Sequence, residues 1–313
     1  MKILITGGSS FTGYWFIREL AAAGHEVFAT FTRSGAEQYD ELRARRINET
    51  VKLCNPVWNC AFGDDVFRKL IEQEKNWDLL CHHGAFVQDY KSIDFDVTSA
   101  VEANTNNLQE TLARLTAANC DKLLLTGSVF EQDEGIGEQP LKAFSPYGLS
   151  KGLTSEIFKF WCQHFGMRLA RFVIPNPFGP FEEKRFTAYL INNWLNGNTP
   201  SVNTPDYVRD NIHVSLLAKA YCQFAEEQAR AAGRTRLNPC GYIESQGAFA
   251  QRLASEMKSR LGKPCDLELA KQEVFDEPRI RVNFDQSDST ALNWDEKAAW
   301  DALAEYYLAN HDQ

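Results

Sequence analysis

Residues 145–151 read Ser-Pro-Tyr-Gly-Leu-Ser-Lys. Ser145 is a good helix N-cap and Pro146 suits the first helical position. Tyr147 then falls in the first turn, and Lys151, four residues on, shares its face. Tyrosine ordinarily ionises near pH ~10. A neighbouring ammonium and the positive end of a helix both favour phenolate, so the spacing predicts a Tyr147 able to give and take a proton near neutral pH. The same spacing is common on plain surface helices, and the pair acquires meaning only with partners. One is offered by the run Leu123-Leu124-Leu125-Thr126-Gly127-Ser128, an apolar strand ending in hydroxyls. Open α/β sheets build their sites at such strand ends, where Ser128 can donate to a carbonyl oxygen beside Tyr147.

The N-terminus supplies a second partner. Lys2–Ile5 is a short apolar run, and Thr6-Gly7-Gly8-Ser9-Ser10-Phe11-Thr12-Gly13 follows at once. Strand, glycine turn and helix in that order suit a dinucleotide pyrophosphate, because a helix N-terminus presents unpaired N–H groups and about half a positive charge. Gly7 and Gly13 keep the outer two glycine positions, while Ser10 occupies the middle one. Ser10 can offer its N–H and hydroxyl to a phosphate if its φ is negative; a positive φ would cost about 1–2 kcal/mol. A ligand-free tight turn is the competing reading.

The end of the second strand selects the cofactor. An NAD site commonly places Asp or Glu there to accept from the ribose hydroxyls. Here the segment ends Thr32-Arg33-Ser34. Arg33 can pair with a 2′-phosphate, and Thr32 and Ser34 can hydrogen-bond it. With the acid absent and the arginine present, NADP is expected in preference to NAD, against the alternative of a solvated surface arginine.

These residues need elements to hold them. Candidate strands are Lys2–Thr6, Glu26–Phe31, Trp58–Phe62, Leu79–His82, Leu123–Thr126 and Arg168–Ile174. Between them lie helical stretches at Thr12–Ala23, Ala36–Ile47, Asp65–Glu74, Thr98–Ala118 and Pro146–Phe165. The alternation predicts a Rossmann-like α/β fold, a doubly wound parallel sheet with helices on both faces. After Ile174 prolines become frequent and the pattern turns irregular. Helix is expected to return over Ile212–Glu227, and an amphipathic helix over Trp294–Leu308, with Trp300, Leu303, Tyr306 and Tyr307 on its apolar side.

The chain has 313 residues, enough for one large domain and a smaller one. A net charge of −9 argues against nucleic acid as a partner. The eight cysteines are scattered with no pair two residues apart, so neither a metal site nor a redox motif is expected. Reduced thiols and the lack of a signal-peptide pattern point to a cytoplasmic protein, and no apolar run approaches a membrane span.

In this order the motifs resemble the extended short-chain dehydrogenase/reductase family, the NAD(P)-dependent sugar-nucleotide epimerases, dehydratases and reductases. The turn is similar to the family's TGGxGFxG. Phe62-Gly63-Asp64 resembles its GD, whose Asp meets the adenine. Residues 78–85, with His82, Gly84 and Ala85, resemble its DxVxHxAA strand along the cofactor, and Asn104 falls where the family has an Asn. Ser128, Tyr147 and Lys151 match its catalytic triad. Pro175 precedes Asn176-Pro177-Phe178-Gly179-Pro180, similar to NxYGP with its Asn near the sugar diphosphate. Residues 209–214 are similar to RDxIHV, whose Arg, here Arg209, contacts the diphosphate, and Ala291-Leu292-Asn293-Trp294 resembles a late LGW.

The resemblance implies an NAD(P)-binding domain of residues 1–174 plus about 208–230, and a substrate-binding domain of 175–207 plus about 231–313. It further implies a nucleotide-sugar substrate, contacts from Ser128, Asn176, Arg209 and Arg279, or Arg281 in its place, and a homodimer formed by helices Thr98–Ala118 and Pro146–Phe165. Two departures narrow the reading. Loop 203–207 lacks the family's glycine pair, and Ser128 is followed by Val129 and Phe130 in place of the acidic pair of dehydratases, which disfavours dehydration. Glu131, Asp133 and Glu134 read as a polar loop. Arg33 tilts the expectation toward NADPH-dependent reduction of a 4-keto sugar nucleotide, with a nucleotide-sugar 4-epimerase as the alternative. A non-catalytic NADP sensor is disfavoured because Tyr147 and Lys151 are both present.

Overall fold

A computed structural model describes residues 1–311. The chain divides into two compact units: 1–134, 142–174 and 218–238 form the first, and 135–141, 175–217 and 239–313 the second.

The first unit is built on seven strands. β1 (Lys2–Ile5), β2 (Glu26–Thr30), β3 (Asn55–Val57), β4 (Leu79–His82) and β5 (Lys122–Ser128) are joined by Arg168–Ile174 and Arg236–Leu237. Their spatial order is Arg236–Leu237, Arg168–Ile174, β5, β4, β1, β2, β3, every pair parallel. The order reverses beside β1, the place where such sheets bind ligands. β4 is buried along its whole length and β1 nearly so, which explains apolar runs without alternation. Helices α1 (Phe11–Ala22), α2 (Glu41–Thr50), α3 (Asp65–Glu74), α4 (Val97–Asn104), α5 (Leu108–Ala117) and α6 (Pro146–His164) accompany the sheet, as do residues 218–229 of a later helix, Val214–Ala229. Leu80, Leu112, Leu115, Leu123 and Phe158 pack in one core between α5, α6 and the sheet.

Three expectations for this unit are corrected. The third strand is Asn55–Val57, not Trp58–Phe62: Asn59 adopts φ +49, and the chain turns so that Cys60 and Phe62 drop into the core. Its Pro56 is tolerated because β3 is an edge strand. The Ala36–Ile47 helix is a short 3₁₀ turn, Ala36–Gln38, followed by α2, which starts afresh where the Asp40 carboxylate accepts the N–H of Arg43. The Thr98–Ala118 helix is broken into α4 and α5 at Asn107, φ +47, whose amide donates to the Gly63 carbonyl at 2.9 Å.

In the second unit, strands Tyr242–Ser245, Val208–His213, Ile280–Val282 and Ile136–Gly137 lie in that order, and Asn176–Phe178 pairs with Val208–His213. Its core gathers Phe178, Trp194, Phe249, Leu253, Trp300 and Leu303. The last helix, Glu296–Asn310, buries Trp300, Leu303 and Tyr307. The helix expected from Ile212 begins at Val214; residues 208–213 are a strand carrying buried Arg209, Asp210 and Asn211, a polar composition that hid it. Among the described residues no helix is long and apolar enough to cross a membrane. All eight cysteines are free thiols.

Candidate active site

The glycine turn is shaped by two close approaches. Gly7 sits at φ +81, and a Cβ there would lie 2.8 Å from the Gly84 nitrogen; a Cβ at Gly13 would lie 2.2 Å from the Gly7 carbonyl oxygen. Ser10 has φ −80, so the substituted middle position carries no strain. Its hydroxyl donates to the Gly7 carbonyl at 2.9 Å and accepts the Gly13 N–H at 3.0 Å, while its own N–H also donates to Gly7. The N–H and hydroxyl donors of Ser10 thus close the turn, and its hydroxyl oxygen caps α1 as an acceptor. At the start of α1 the N–H groups of Phe11 and Thr12 precede the first intrahelical bond, Tyr14 N–H to the Ser10 carbonyl, and among the described residues have no backbone acceptor, so they remain for an anion beside the half-buried Ser9. A cradle with no room for a Cβ at either end and two free N–H groups fits a pyrophosphate.

His83, which the sequence reading passed over, ties this turn to the sheet. Its Nε2 lies 3.0 Å from both Ser10 Oγ and Thr12 Oγ1, and its Nδ1 lies 3.2 Å from Thr126 Oγ1 on β5. Burial holds its pKa down at about 3, so the ring is neutral. The only available signal was a second histidine beside His82. His82 has a readable tautomer: Nε2–H donates to the Asn104 carbonyl at 3.2 Å, since a carbonyl can only accept, and Nδ1 faces Thr6 Oγ1 at 3.0 Å. Thr6 Oγ1 in turn accepts the Gly84 N–H, and Asn104 Oδ1 accepts the N–H of Phe86, after Ala85. His82, Gly84 and Asn104 therefore hold the segment after β4 in place.

At the end of β2, Thr32, Arg33 and Ser34 are exposed. The Arg33 guanidinium donates to the Gln38 carbonyl and lies 5.0 Å over the Tyr39 ring. Asp64 caps α3: its two carboxylate oxygens accept the N–H groups of Ala61 and Phe67, both at 2.7 Å.

Ser145 caps α6 by accepting the Gly148 N–H at 3.0 Å, with Pro146 next in the first turn. A Cβ at Gly148 would lie 2.2 Å from the Phe130 carbonyl oxygen. The start of α6 consequently lies directly on the segment that follows Ser128, which brings Tyr147 to the end of β5. The Tyr147 ring packs edge-on against Tyr90 and Phe95, with centroids 5.5 and 6.0 Å away. Lys151 is buried and its Nζ donates to the Thr126 carbonyl at 2.7 Å. Burial pulls its pKa down to about 8; Glu131 opposes that fall and Arg171 adds to it.

Of the expected polar loop, Asp133 is exposed, but Glu131 and Glu134 belong instead to a buried ion-pair network. Glu131 and Glu134 are each 1% exposed. Arg171 meets Glu131 at 2.6 Å and Glu134 at 2.9 Å, and Glu134 also meets Arg236 and the Asn238 amide. Glu131 Oε1 accepts the Ser128 N–H at 2.7 Å, and Ser128 Oγ accepts the Phe130 N–H at 3.2 Å. Gly127 makes room: a Cβ there would lie 2.6 Å from the Arg171 guanidinium and 3.0 Å from Glu131 Oε1.

In the second unit Pro175 is buried and Asn176 opens the strand Asn176–Phe178. Arg209 is buried; its guanidinium donates to the carbonyls of Val208, Pro278 and Arg279 and pairs with Glu277 at 2.9 Å. Arg279 is exposed, lying 4.5 Å over the Phe275 ring, whereas Arg281 is buried.

A family model for the NAD dependent epimerase/dehydratase family matches residues 3–238. The chain belongs to that family. It is thereby an NAD(P)-dependent enzyme of the epimerase/dehydratase type, as the motifs implied. No curated protein sequence matches it. Solved structures similar to this family member include a UDP-glucose 4-epimerase from Thermotoga maritima (16% identity, TM-score 0.71, 99% of each chain covered). A UDP-glucuronic acid 4-epimerase from Bacillus cereus in complex with UDP-glucuronic acid and NAD matches at 18% identity and TM-score 0.71, covering 99% of this chain and all of its own. A dTDP-glucose 4,6-dehydratase from Streptomyces venezuelae matches at 18% and 0.71, covering 100% and 98%. At these identities the likeness is one of fold.

Proposed function

We propose that the protein performs oxidoreduction at a ring carbon of a nucleotide-linked sugar, with NADPH-dependent reduction of a 4-keto sugar nucleotide as the net reaction. The observation that carries this reading is the packing of α6, which bears Tyr147 and Lys151, on the end of β5, which bears Ser128: Gly148 lies against the Phe130 carbonyl and Lys151 Nζ donates to the Thr126 carbonyl. Gly7, Gly13 and the N–H groups of Phe11 and Thr12 hold the pyrophosphate. When bound, the nicotinamide supplies the hydride donor or acceptor. Ser128 donates to the sugar oxygen, Tyr147 holds or moves the proton at that oxygen, and the Lys151 ammonium orients the ribose and favours the phenolate. General acid catalysis of this kind contributes roughly 10²–10⁴-fold. In the second unit, which we read as the substrate-binding one, Asn176 faces the sugar diphosphate. Arg209 is the family's diphosphate cation by position, but its charge is met by Glu277, so the exposed Arg279 is the better candidate for that contact.

Preference for NADP rests on the missing acid at the end of β2 and on Arg33. The attachment of Arg33 to Gln38 and Tyr39 weakens that support and favours a second reading, 4-epimerisation, which the activities named for two of the structural neighbours also support. Incubation with NADPH, with NADH, and with a panel of 4-keto and 4-hydroxy sugar nucleotides separates them. Cofactor oxidised in proportion to product means reduction; product formed with total cofactor unchanged means epimerisation; turnover with neither class refutes both.

A homodimer and a cytoplasmic location complete the proposal. On α6, Leu149, Leu153 and Phe160 are 41%, 41% and 63% exposed, an apolar stripe suited to a second copy. Sedimentation equilibrium of the wild type and of Phe160→Glu tests it.

A further inference from the structure

A lysine buried as deeply as Lys151 sheds its proton unless an anion faces it. The charged and titratable groups around it are Glu131, Arg171, His82 and His83, with Tyr147 one turn earlier on the same helix. Both imidazoles are held neutral by burial, and Arg171 repels an ammonium. Glu131 is the one anion of the set.

Its carboxylate is fixed from two sides. Oε1 accepts the Ser128 N–H at 2.7 Å and Oε2 accepts from Arg171 at 2.6 Å. Arg171 is steadied by Glu134, itself bound to Arg236 and Asn238. Gly127 leaves the space that the ion pair fills, since a Cβ there would clash with the Arg171 guanidinium at 2.6 Å and crowd Glu131 Oε1 at 3.0 Å. Burial raises the Glu131 pKa, while Arg171 and Lys151 draw it back.

We propose that Glu131 is a positioning residue that does two things with one carboxylate: Oε1 sets the backbone, and so the hydroxyl, of Ser128, and its charge keeps Lys151 in the ammonium form. The proposal rests on the reading of Ser128, Tyr147 and Lys151 as the catalytic groups. Arg171 locks the carboxylate in place, and without Glu131 it would face Lys151 with nothing but like charge.

The test is Glu131→Gln, which keeps the side-chain shape and an acceptor for Ser128 but removes the charge. With ¹³C-lysine labelling, the Lys151 Cε signal, identified by its loss in Lys151→Met, is titrated by NMR in the cofactor-free protein. The Lys151 proton affinity is expected to fall by about tenfold or more. Glu131→Asp, which keeps the charge, is expected to restore most of that affinity. Dinucleotide affinity, followed by NADPH fluorescence against pH, is expected to be lost at lower pH in Glu131→Gln than in the wild type. An unshifted Lys151 midpoint in folded Glu131→Gln overturns the proposal. Should that variant not fold, Glu131→Asp serves alone: with the charge kept but drawn back by one methylene, the Lys151 midpoint must fall by less than about tenfold, and an unchanged or raised midpoint overturns the proposal. A shifted midpoint in a protein that binds no dinucleotide at any pH supports the electrostatic role of Glu131 and refutes the catalytic reading instead.

Discussion

Gly13→Ala probes the glycine turn at its tightest point. The added Cβ would sit 2.2 Å from the Gly7 carbonyl oxygen and 2.7 Å from Ser10 Oγ. An ordinary close carbon–oxygen contact is about 3.3 Å, so some part must move by about 1 Å. The Gly7 carbonyl is backbone, held by the N–H and hydroxyl of Ser10. Yielding there opens the turn, weakens the α1 cap and tilts the N–H groups of Phe11 and Thr12. Overpacking of this kind costs about 1–3 kcal/mol. Loss of the cap hydrogen bond adds about 1 kcal/mol. Since the turn is the proposed pyrophosphate cradle, dinucleotide affinity should fall along with stability, by about 100-fold for a loss near 3 kcal/mol. Urea unfolding and NADPH fluorescence titration measure the two. Gly24→Ala is the control: that glycine has φ +80, but a Cβ there meets nothing within 4 Å. It should lose some stability and keep its affinity. Wild-type affinity in Gly13→Ala would refute the turn as the dinucleotide site.

Three further outcomes are expected. Tyr147→Phe should lower kcat by about 10²–10⁴-fold while leaving dinucleotide affinity within a few-fold; retention of turnover removes Tyr147 from the chemistry. Arg171→Met leaves the buried Glu131 carboxylate without its cation and should cost about 3–5 kcal/mol in urea unfolding; a loss below about 1 kcal/mol would mean the network is not buried. Burial lifts the Asp210 carboxyl to about 7, well above its value in the unfolded chain. Below the unfolded pKa both states hold the proton and that contribution to stability is fully present; it is lost as pH rises toward about 7, because the folded state holds the extra proton. Asp210→Asn should flatten this decline. Glu182, also lifted to about 7 by burial, leaves part of the slope in place, and identical pH dependence in wild type and variant would refute the assignment.

What was legible in the sequence is what short-range physics controls. Gly7 and Gly13 announce a turn because steric exclusion acts within a few residues. Ser145-Pro146 marks a helix start, and Tyr147 and Lys151 share a face because the helical period puts them there. Apolar runs between amphipathic stretches imply a parallel sheet because both faces must be covered. Where an element depended on distant partners the reading slipped: the break at Asn107 is held by Gly63, and the strand Val208–His213 buries polar residues that no periodicity marks.

The sequence by itself determined the parallel sheet and the family, and it named the glycine turn and the Ser128, Tyr147 and Lys151 triplet on which the proposed site rests. Only the tertiary structure decided which charges are solvated and which are not. Glu131 and Glu134 looked like loop acids but lie buried on Arg171, about forty residues away in the chain; Arg33 and Arg209 looked available but are engaged by Gln38 and Glu277. His83 became part of the glycine turn only when β4 came to lie beside β1. The reason is that a side chain's type states its charge, whereas its hydration and its partners are set by whatever the fold packs around it, and for these residues most of that comes from far along the chain.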